Sequence, residues 1–157
     1  MKLLILSDSH GHLDNMMQAV ELESPHMILH LGDCWRDAER LHDHFPETPL
    51  HQVPGNCDFR STEPTEQILC IKDYRILLCH GHTYGVKSSL IAAGYAAEEQ
   101  NLDVFLFGHT HRPLVDKRGK TWFLNPGSIG DARYPTYGIV TIENGTLEAH
   151  TVALKQH

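Results

Sequence analysis

An α/β domain built on two mixed β-sheets is the fold class the sequence predicts, and three observations predict it. Short apolar, β-rich runs recur along the 157 residues, each closed by polar residues. In the first half they alternate with stretches of helical period, the order of α/β units. In the second half they come in pairs around turn residues, as hairpins do. No linker, repeat or low-complexity segment divides the halves, so one domain over residues 1–157 is expected; that length buries a proper core without staples.

Lys2 to Ser7 is the first apolar run, and it stops at Asp8-Ser9-His10-Gly11-His12. With one positive charge and no small-residue cleavage site after it, it reads as a buried strand and not as a signal peptide. Leu13 to Glu23 follows as a helix, with Leu13, Met16, Met17 and Val20 spaced for one buried face. Asp14 or His12 is placed to cap it, Asp8 being too far ahead. Met27 to Leu31 is a second buried strand, ending at Gly32-Asp33 before a helix from about Asp37 to His44. Leu50 to Val53 is a third, ending at Pro54-Gly55-Asn56-Cys57-Asp58. Singly, both endings read as turns, since Gly with Asp or Asn is common turn chemistry.

Gln67 to Ile71 and Arg75 to Cys79 flank Lys72-Asp73-Tyr74 as a hairpin, and the second strand runs into His80-Gly81-His82. Ser88 is the expected cap of a helix reaching Gln100, in which Leu90, Ile91 and Ala97 are available for packing and Gly94 costs up to about 1 kcal/mol against Ala. Val104 to Phe107 is the next apolar run, and Gly108-His109-Thr110-His111 follows it. Two imidazoles two residues apart point the same way only if the backbone bends, and Gly108 is the residue expected to permit the bend. Leu114-Val115-Asp116 and Thr121 to Leu124 form a hairpin, Asn125-Pro126-Gly127-Ser128 breaks the chain, and Tyr137 to Ile142 and Leu147 to Leu154 close around the Asn144-Gly145 turn signal.

Net charge is −7 with histidine neutral, and no long basic run appears. That argues against a nucleic-acid polymer as partner and for a small substrate. No apolar segment approaches the roughly 20 residues needed to cross a membrane. Cys34, Cys57, Cys70 and Cys79 lack C-x-x-C spacing, so they are expected as reduced thiols of a cytoplasmic protein. Thirteen histidines are the anomaly of composition; His42, His44, His51, His150 and His157 lie in polar surroundings and read as surface scatter.

Five apolar runs end in Asp8-x-His10, Gly32-Asp33, Gly55-Asn56, His80-Gly81 and Gly108-His109-x-His111. Each has a plain explanation, but five independent turns explain one recurring device poorly. In open α/β sheets ligands collect beyond the strand C-terminal ends. Two carboxylates, one amide oxygen and four imidazoles are too many ligands for one tetrahedral zinc. They suit two borderline or hard ions about 3.5–4 Å apart if one carboxylate bridges. The set therefore points to a two-metal site.

As an ordered set these motifs resemble the calcineurin-like metallophosphoesterases over residues 8 to 111. Gly55-Asn56-Cys57-Asp58, the run His80 to Lys87, and Asn125-Pro126-Gly127-Ser128 resemble more narrowly its small bacterial and archaeal phosphodiesterase branch, over most of the chain. The resemblance implies a four-layer α/β/β/α sandwich with two mixed sheets packed face to face. It implies two divalent ions per chain: one on Asp8, His10, Asp33 and His111, the other on Asp33, Asn56, His80 and His109, with Asp33 as bridge. Manganese is the first choice, with iron, zinc, nickel or magnesium as alternatives. The reaction implied is hydrolysis of a small phosphodiester by a metal-bridging hydroxide.

Many relatives carry histidine after the motif asparagine, where it assists the leaving oxygen; this chain has Cys57, a poorer charged donor. Asn56, Cys57 and His82 are therefore the catalytic candidates, with His12 a further substitute and Asp58 expected to orient its neighbours. Lys87, Arg112 and Arg133 are candidate phosphate contacts, for which solvated surface is the plainer reading. Two rivals stand: a non-catalytic binding module of the same fold, resembling a eukaryotic trafficking subunit, and a phosphomonoesterase or pyrophosphohydrolase using the same site. The sequence leaves a homo-oligomer open.

Overall fold

Alternation along the central strands organises the architecture, because successive side chains of a strand point to opposite faces. The computed structural model describes residues 1–58 and 62–155; His157 lies outside them. Its elements are β1 (Lys2–Leu6), α1 (Leu13–Glu23), β2 (Met27–His30), α2 (Trp35–His44), β3 (Leu50–Gln52), β4 (Glu66–Ile71), β5 (Tyr74–Cys79), α3 (Ile91–Glu99), β6 (Val104–Leu106), β7 (Leu114–Arg118), β8 (Thr121–Asn125), β9 (Thr136–Glu143) and β10 (Thr146–Ala153). They form two five-stranded sheets, ordered β10-β9-β1-β2-β3 and β4-β5-β6-β8-β7. Both are mixed: β1, β2 and β3 run parallel in the first and β5, β6 and β8 in the second.

Three apolar layers follow from this alternation. Leu3 and Ile5 of β1, Leu29 of β2, Ile76 and Leu78 of β5, Val104 and Leu106 of β6, and Leu124 of β8 share the core between the sheets. Their neighbours point outward. Leu4, Leu6 and Ile28 meet Met16, Ala19 and Val20 of α1 and Leu41 of α2. Leu77, Cys79, Phe105 and Phe123 meet Ala93 and Ala97 of α3. The result is helix, sheet, sheet, helix, the four-layer arrangement expected. Because the central strands are buried on both faces, they read as continuous apolar runs rather than alternating ones.

The hairpins close on tight turns. Lys72 and Asp73 both take positive φ, 48° and 71°, as do Asn144 and Gly145, at 52° and 75°; this is the type I′ requirement that matches strand twist. Two helix starts differ from expectation. The second begins at Trp35 rather than Asp37. The third begins at Ile91, capped by Leu90 and not by Ser88. The N–H groups of Ser88 and Ser89 instead turn back to the Gly85 carbonyl at 2.9 and 3.3 Å, so the chain is still in a turn there. That shift places Ala93 and Ala97 on the inner face and leaves Ile91 65% exposed, against the expectation that it packs inward. His12 occupies the cap position of α1 without a capping side-chain bond. No described helix is long and apolar enough to cross a membrane.

Leu78 and Ile91 test this layering. Leu78→Ala, at a fully buried position between the sheets, is expected to cost about 2–5 kcal/mol, whereas Ile91→Ala is expected to fall within about 0.5 kcal/mol of wild type. Urea melts of both variants check this, and equal losses would contradict the assigned start of α3.

Candidate metal centre

The parallel strands deliver their C-terminal ends to one edge of the sandwich. The Asp8 N–H bonds the Gly32 carbonyl at 2.9 Å, and the Gly108 N–H bonds the His80 carbonyl at 2.7 Å. The two sheets meet where Gly108 abuts β1: a Cβ there would overlap Ser7 Oγ and approach Asp8 Oδ2. Gly55 has the same role toward Asp33, and Gly32, at φ 105°, toward Gly55. Close approach, not freedom to bend, is therefore what Gly108 provides. The bends themselves fall on His109 and His111, at φ 70° and 62°.

Asp8, His10 and Asp33 also take positive φ, at 54°, 44° and 49°. A left-handed conformation costs a non-glycine residue roughly 1–2 kcal/mol. Outside these five, the positive-φ non-glycine residues described are Ser24, Lys72, Asp73, Asn101 and Asn144, which lie in turns and at helix ends. Strain thus collects on residues singled out for chemistry, where surrounding structure must hold it.

Asp8 is fully buried. Its Oδ2 accepts from Ser7 Oγ–H at 2.7 Å and from the His109 N–H at 3.1 Å. Its Oδ1 has no hydrogen-bond partner, yet it lies 3.1 Å from His111 Nε2, 3.7 Å from His80 Nε2 and 3.9 Å from His10 Nε2. His80, also fully buried, donates from Nδ1 to the Leu31 carbonyl at 2.8 Å. That bond leaves the Nε2 lone pair free, and this atom too is without a partner, 3.4 Å from Asp33 Oδ2. Each unsatisfied buried polar group costs about 1–3 kcal/mol. A carboxylate oxygen and an imidazole nitrogen aimed at one space fit a divalent cation, which both ligand types bind.

Two groups of donors result: Asp8, His10 and His111, and Asp8, Asp33 and His80. The histidine pair divides between them, His111 standing 5.4 Å from the His10 ring and His109 5.0 Å from the His80 ring, centroid to centroid. Asp8 is common to both groups, whereas the resemblance puts the shared carboxylate at Asp33. Burial alone would raise the Asp33 pKa, but the adjacent His80 imidazole and the hydrogen bond from the Cys57 N–H, at 2.9 Å, hold it well below the carboxylate range. Burial lowers the His80 pKa, and the nearby carboxylates of Asp33 and Asp8 overcome it, so the net shift is upward. A proton and a cation would thus compete for one nitrogen.

Asn56 is exposed on the loop between Gly55, packed on Asp33, and Cys57. The exposed Cys57 thiol is pushed up by burial and by the Asp33 charge, so it stays protonated at neutral pH. His82 lies on a 3-10 turn, His82–Tyr84, 5.6 Å from the His80 ring and 6.1 Å from the His109 ring. Burial and the neighbouring His80 lower its pKa, which makes it a neutral imidazole and a poor acid. His12, Lys87, Arg112 and Arg133 are exposed.

Sequence reasoning missed most of what supports these groups. Asp58, expected to orient its neighbours, accepts from the N–H groups of Asp33, Gly55 and Trp35 at 3.1, 2.7 and 2.9 Å. Behind Asp8 runs a buried relay. The Gly32 N–H donates to His30 Nδ1 at 3.1 Å, so His30 Nε2 carries the proton and donates to Ser9 Oγ at 3.1 Å. Ser9 then donates to Asp37 Oδ2 at 2.7 Å, which also takes the Gly11 N–H at 2.7 Å. The relay ties both acidic loops to α2. The end of β8 is a sixth contributor. Asn125 Nδ2 donates to the Gly108 carbonyl at 3.0 Å and to Thr110 Oγ1 at 2.8 Å, and Ser128 Oγ donates to the Asp8 carbonyl at 2.8 Å. The signal available was Asn125-Pro126-Gly127-Ser128 closing an apolar run, the same device as the other five.

A family model, curated relatives and a solved structure all resemble this chain. A calcineurin-like phosphoesterase superfamily domain matches residues 1–145. The chain is 40% identical over 152 residues to the probable metallophosphoesterase YsnB of Bacillus subtilis, covering 92% of this chain and 86% of that protein. It is 32% identical over 156 residues to the phosphodiesterase YfcE of Escherichia coli K12, covering 82% of this chain and 79% of that one. A crystal structure of a predicted phosphoesterase from Streptococcus pneumoniae superposes with a TM-score of 0.80 at 26% identity, over 97% of this chain and 88% of that one.

The relay predicts an acid-sensitive step. Burial depresses the His30 pKa to about 4, more than the carboxylates of Asp8, Asp37 and Asp58 raise it. The unfolded chain takes up this proton near pH 6.5 and the folded chain only near 4, so stability falls as pH drops through that window. The loss is on the order of 3 kcal/mol by pH 4. His30→Gln removes this contribution, and urea midpoints at pH 7 and 4.5 should fall less in the variant; parallel declines would show that His30 is not the source.

Proposed function

The chain belongs to the calcineurin-like phosphoesterase superfamily, and from that membership we propose that it is a phosphodiesterase working at a dinuclear divalent-metal centre. The observation that carries the reading is the pair Asp8 Oδ1 and His80 Nε2, buried, unpartnered and 3.7 Å apart within a ring of histidines. Asp8, His10, Asp33 and His111 would hold one ion, and Asp33, Asn56, His80 and His109 the other, with manganese the first choice. The divergence of His109 and His111 supports this division. Such ions supply the charge that clamps a phosphate and a water of lowered pKa as nucleophile. The chain's own residues do the rest: Ser7 and the His109 N–H fix the Asp8 carboxylate, Asp58 and Cys57 fix the Asp33 loop, and Asn125 holds the histidine pair.

A binding module without chemistry would have no need of a complete donor set, and every expected ligand position carries a suitable side chain. The name of the Escherichia coli relative favours a diester over a monoester or pyrophosphate substrate. The four free cysteines accord with a cytoplasmic setting. With Cys57 protonated and weak as a donor and His82 neutral, the departing oxygen receives little proton assistance.

Two outcomes follow. Asp33→Ala is expected to leave fewer than two metals per chain by elemental mass spectrometry and to cut activity more than about 100-fold, beyond what loss of a supporting residue produces. Two metals retained in Asp33→Ala would move the bridge to Asp8. Rates on a series of aryl and alkyl diesters should rise steeply with leaving-group acidity, and Cys57→His should flatten the slope; a flat wild-type series would refute the acid-poor site.

A further inference from the structure

Beside the histidine pair the surface opens into a cleft of about 620 Å³, the size that takes a drug-sized organic group. Its floor is apolar: Val86 and Phe107 are buried, and Leu90 and Leu114 face it, Leu114 remaining 39% exposed. Lys87 and Arg112, both exposed cations, stand at its rim. No carboxylate lines it, and neither cation has an ion pair among the described residues.

The cleft adjoins the loop that carries the histidine pair. Thr110, between His109 and His111, is one of its walls, and Asn125, which bonds Thr110 Oγ1 at 2.8 Å and the Gly108 carbonyl at 3.0 Å, is another. Lys87 is near enough for its charge to act on His109. Thr110 is thus common to the cleft wall and to the histidine loop.

We propose that this cleft seats one ester arm of the substrate and selects arms with an apolar or planar body that carry a negative charge of their own. The proposal rests on the phosphodiesterase reading and adds to it the substrate class. The apolar floor supplies area-proportional burial without directional demand, while Lys87 and Arg112 set the sign of the charge that is accepted. In a chain of net charge −7, two unpaired cations beside the centre are the local exception that an anionic arm would use.

The test uses diesters that share 4-nitrophenol as leaving group and differ in the other arm: methyl, choline, or thymidine 3′-phosphate. With metal-loaded wild-type protein, KM for the thymidine 3′-phosphate ester should lie about tenfold below that of the methyl ester, as two exposed charge pairs allow. The cationic choline ester should gain nothing. The double variant Lys87→Ala, Arg112→Ala should erase that advantage through KM, with kcat for the anionic ester changed less than about twofold, and Leu90→Asp should reduce it. Equal KM values across the arms, or an advantage that survives the double variant, would overturn the proposal. Calorimetry of metal-free protein with the corresponding methylphosphonate monoesters gives a second readout. If no diester turns over, the phosphodiesterase reading fails and the calorimetric ratio alone decides: tighter binding of the anionic arm, lost in the double variant, upholds the cleft, and equal binding of both arms overturns it.

Discussion

The burial of Asp8 is the constraint on which the site depends. One of its carboxylate oxygens is tied down by Ser7 and by the backbone of the histidine loop, at 2.7 and 3.1 Å. The other is shut off from solvent and left unpartnered beside three imidazoles. A fold that merely minimised its own energy would not leave an oxygen and a nitrogen facing one another in this state, since buried polar groups are almost always paired. Ser7 and Asp8 reach the position because Gly108 has no side chain to keep the second sheet away. The junction of the sheets and the chemistry of the site are thus one contact.

The five strained backbone positions belong to the same account. Asp8, His10, Asp33, His109 and His111 each leave the ordinary regions of backbone space, together a cost of several kcal/mol. Hydrogen bonds from outside the ligand set offset it. Asp58 gathers three backbone N–H groups around Asp33, Asn125 and Ser128 fasten the loops of the two sheets, and His30, Ser9 and Asp37 brace the Asp8 loop from behind. None of them is among the proposed metal ligands, although Asn125 also walls the cleft beside Thr110. Their part is to make a conformation that the chain resists the only one available to it.

That division explains what was legible in the sequence. The central strands could be read because burial on both faces leaves continuous apolar runs, and strand ends rich in Asp, His and Gly marked the edge where they converge. The helix start at Ile91 was misplaced because local cap chemistry at Ser88 lost to the turn that carries Ser88 and Ser89 back to Gly85, and no local pattern reports such a competition. Gly108 was identified as special for the wrong reason: a sequence shows that a glycine is present, but not whether φ or a neighbour from another sheet requires it. His30 sat inside an apolar run, and its partners Ser9 and Asp37 are 21 and 28 residues away from His30 and Ser9 respectively, so nothing within a local window could join them. Asn125 was recognised as a chain break, yet its reach to Gly108 depends on β8 lying parallel to β6, a fact of topology.

Charge completes the connection between the fold and its substrate. The proposed ligands include two carboxylates, Asp8 and Asp33; the remaining donors are imidazoles and an amide, neutral when they bind a cation. Two divalent ions on two carboxylates leave about two positive charges uncompensated at the centre, enclosed by a protein whose net charge is −7. The surrounding field therefore disfavours an extended polyanion, while the centre attracts a compact phosphate that reaches it. Lys87 and Arg112 extend the positive region along the cleft beside Thr110. In the proposed reading the ions would hold the phosphate, and the two cations beside them would give the substrate a direction.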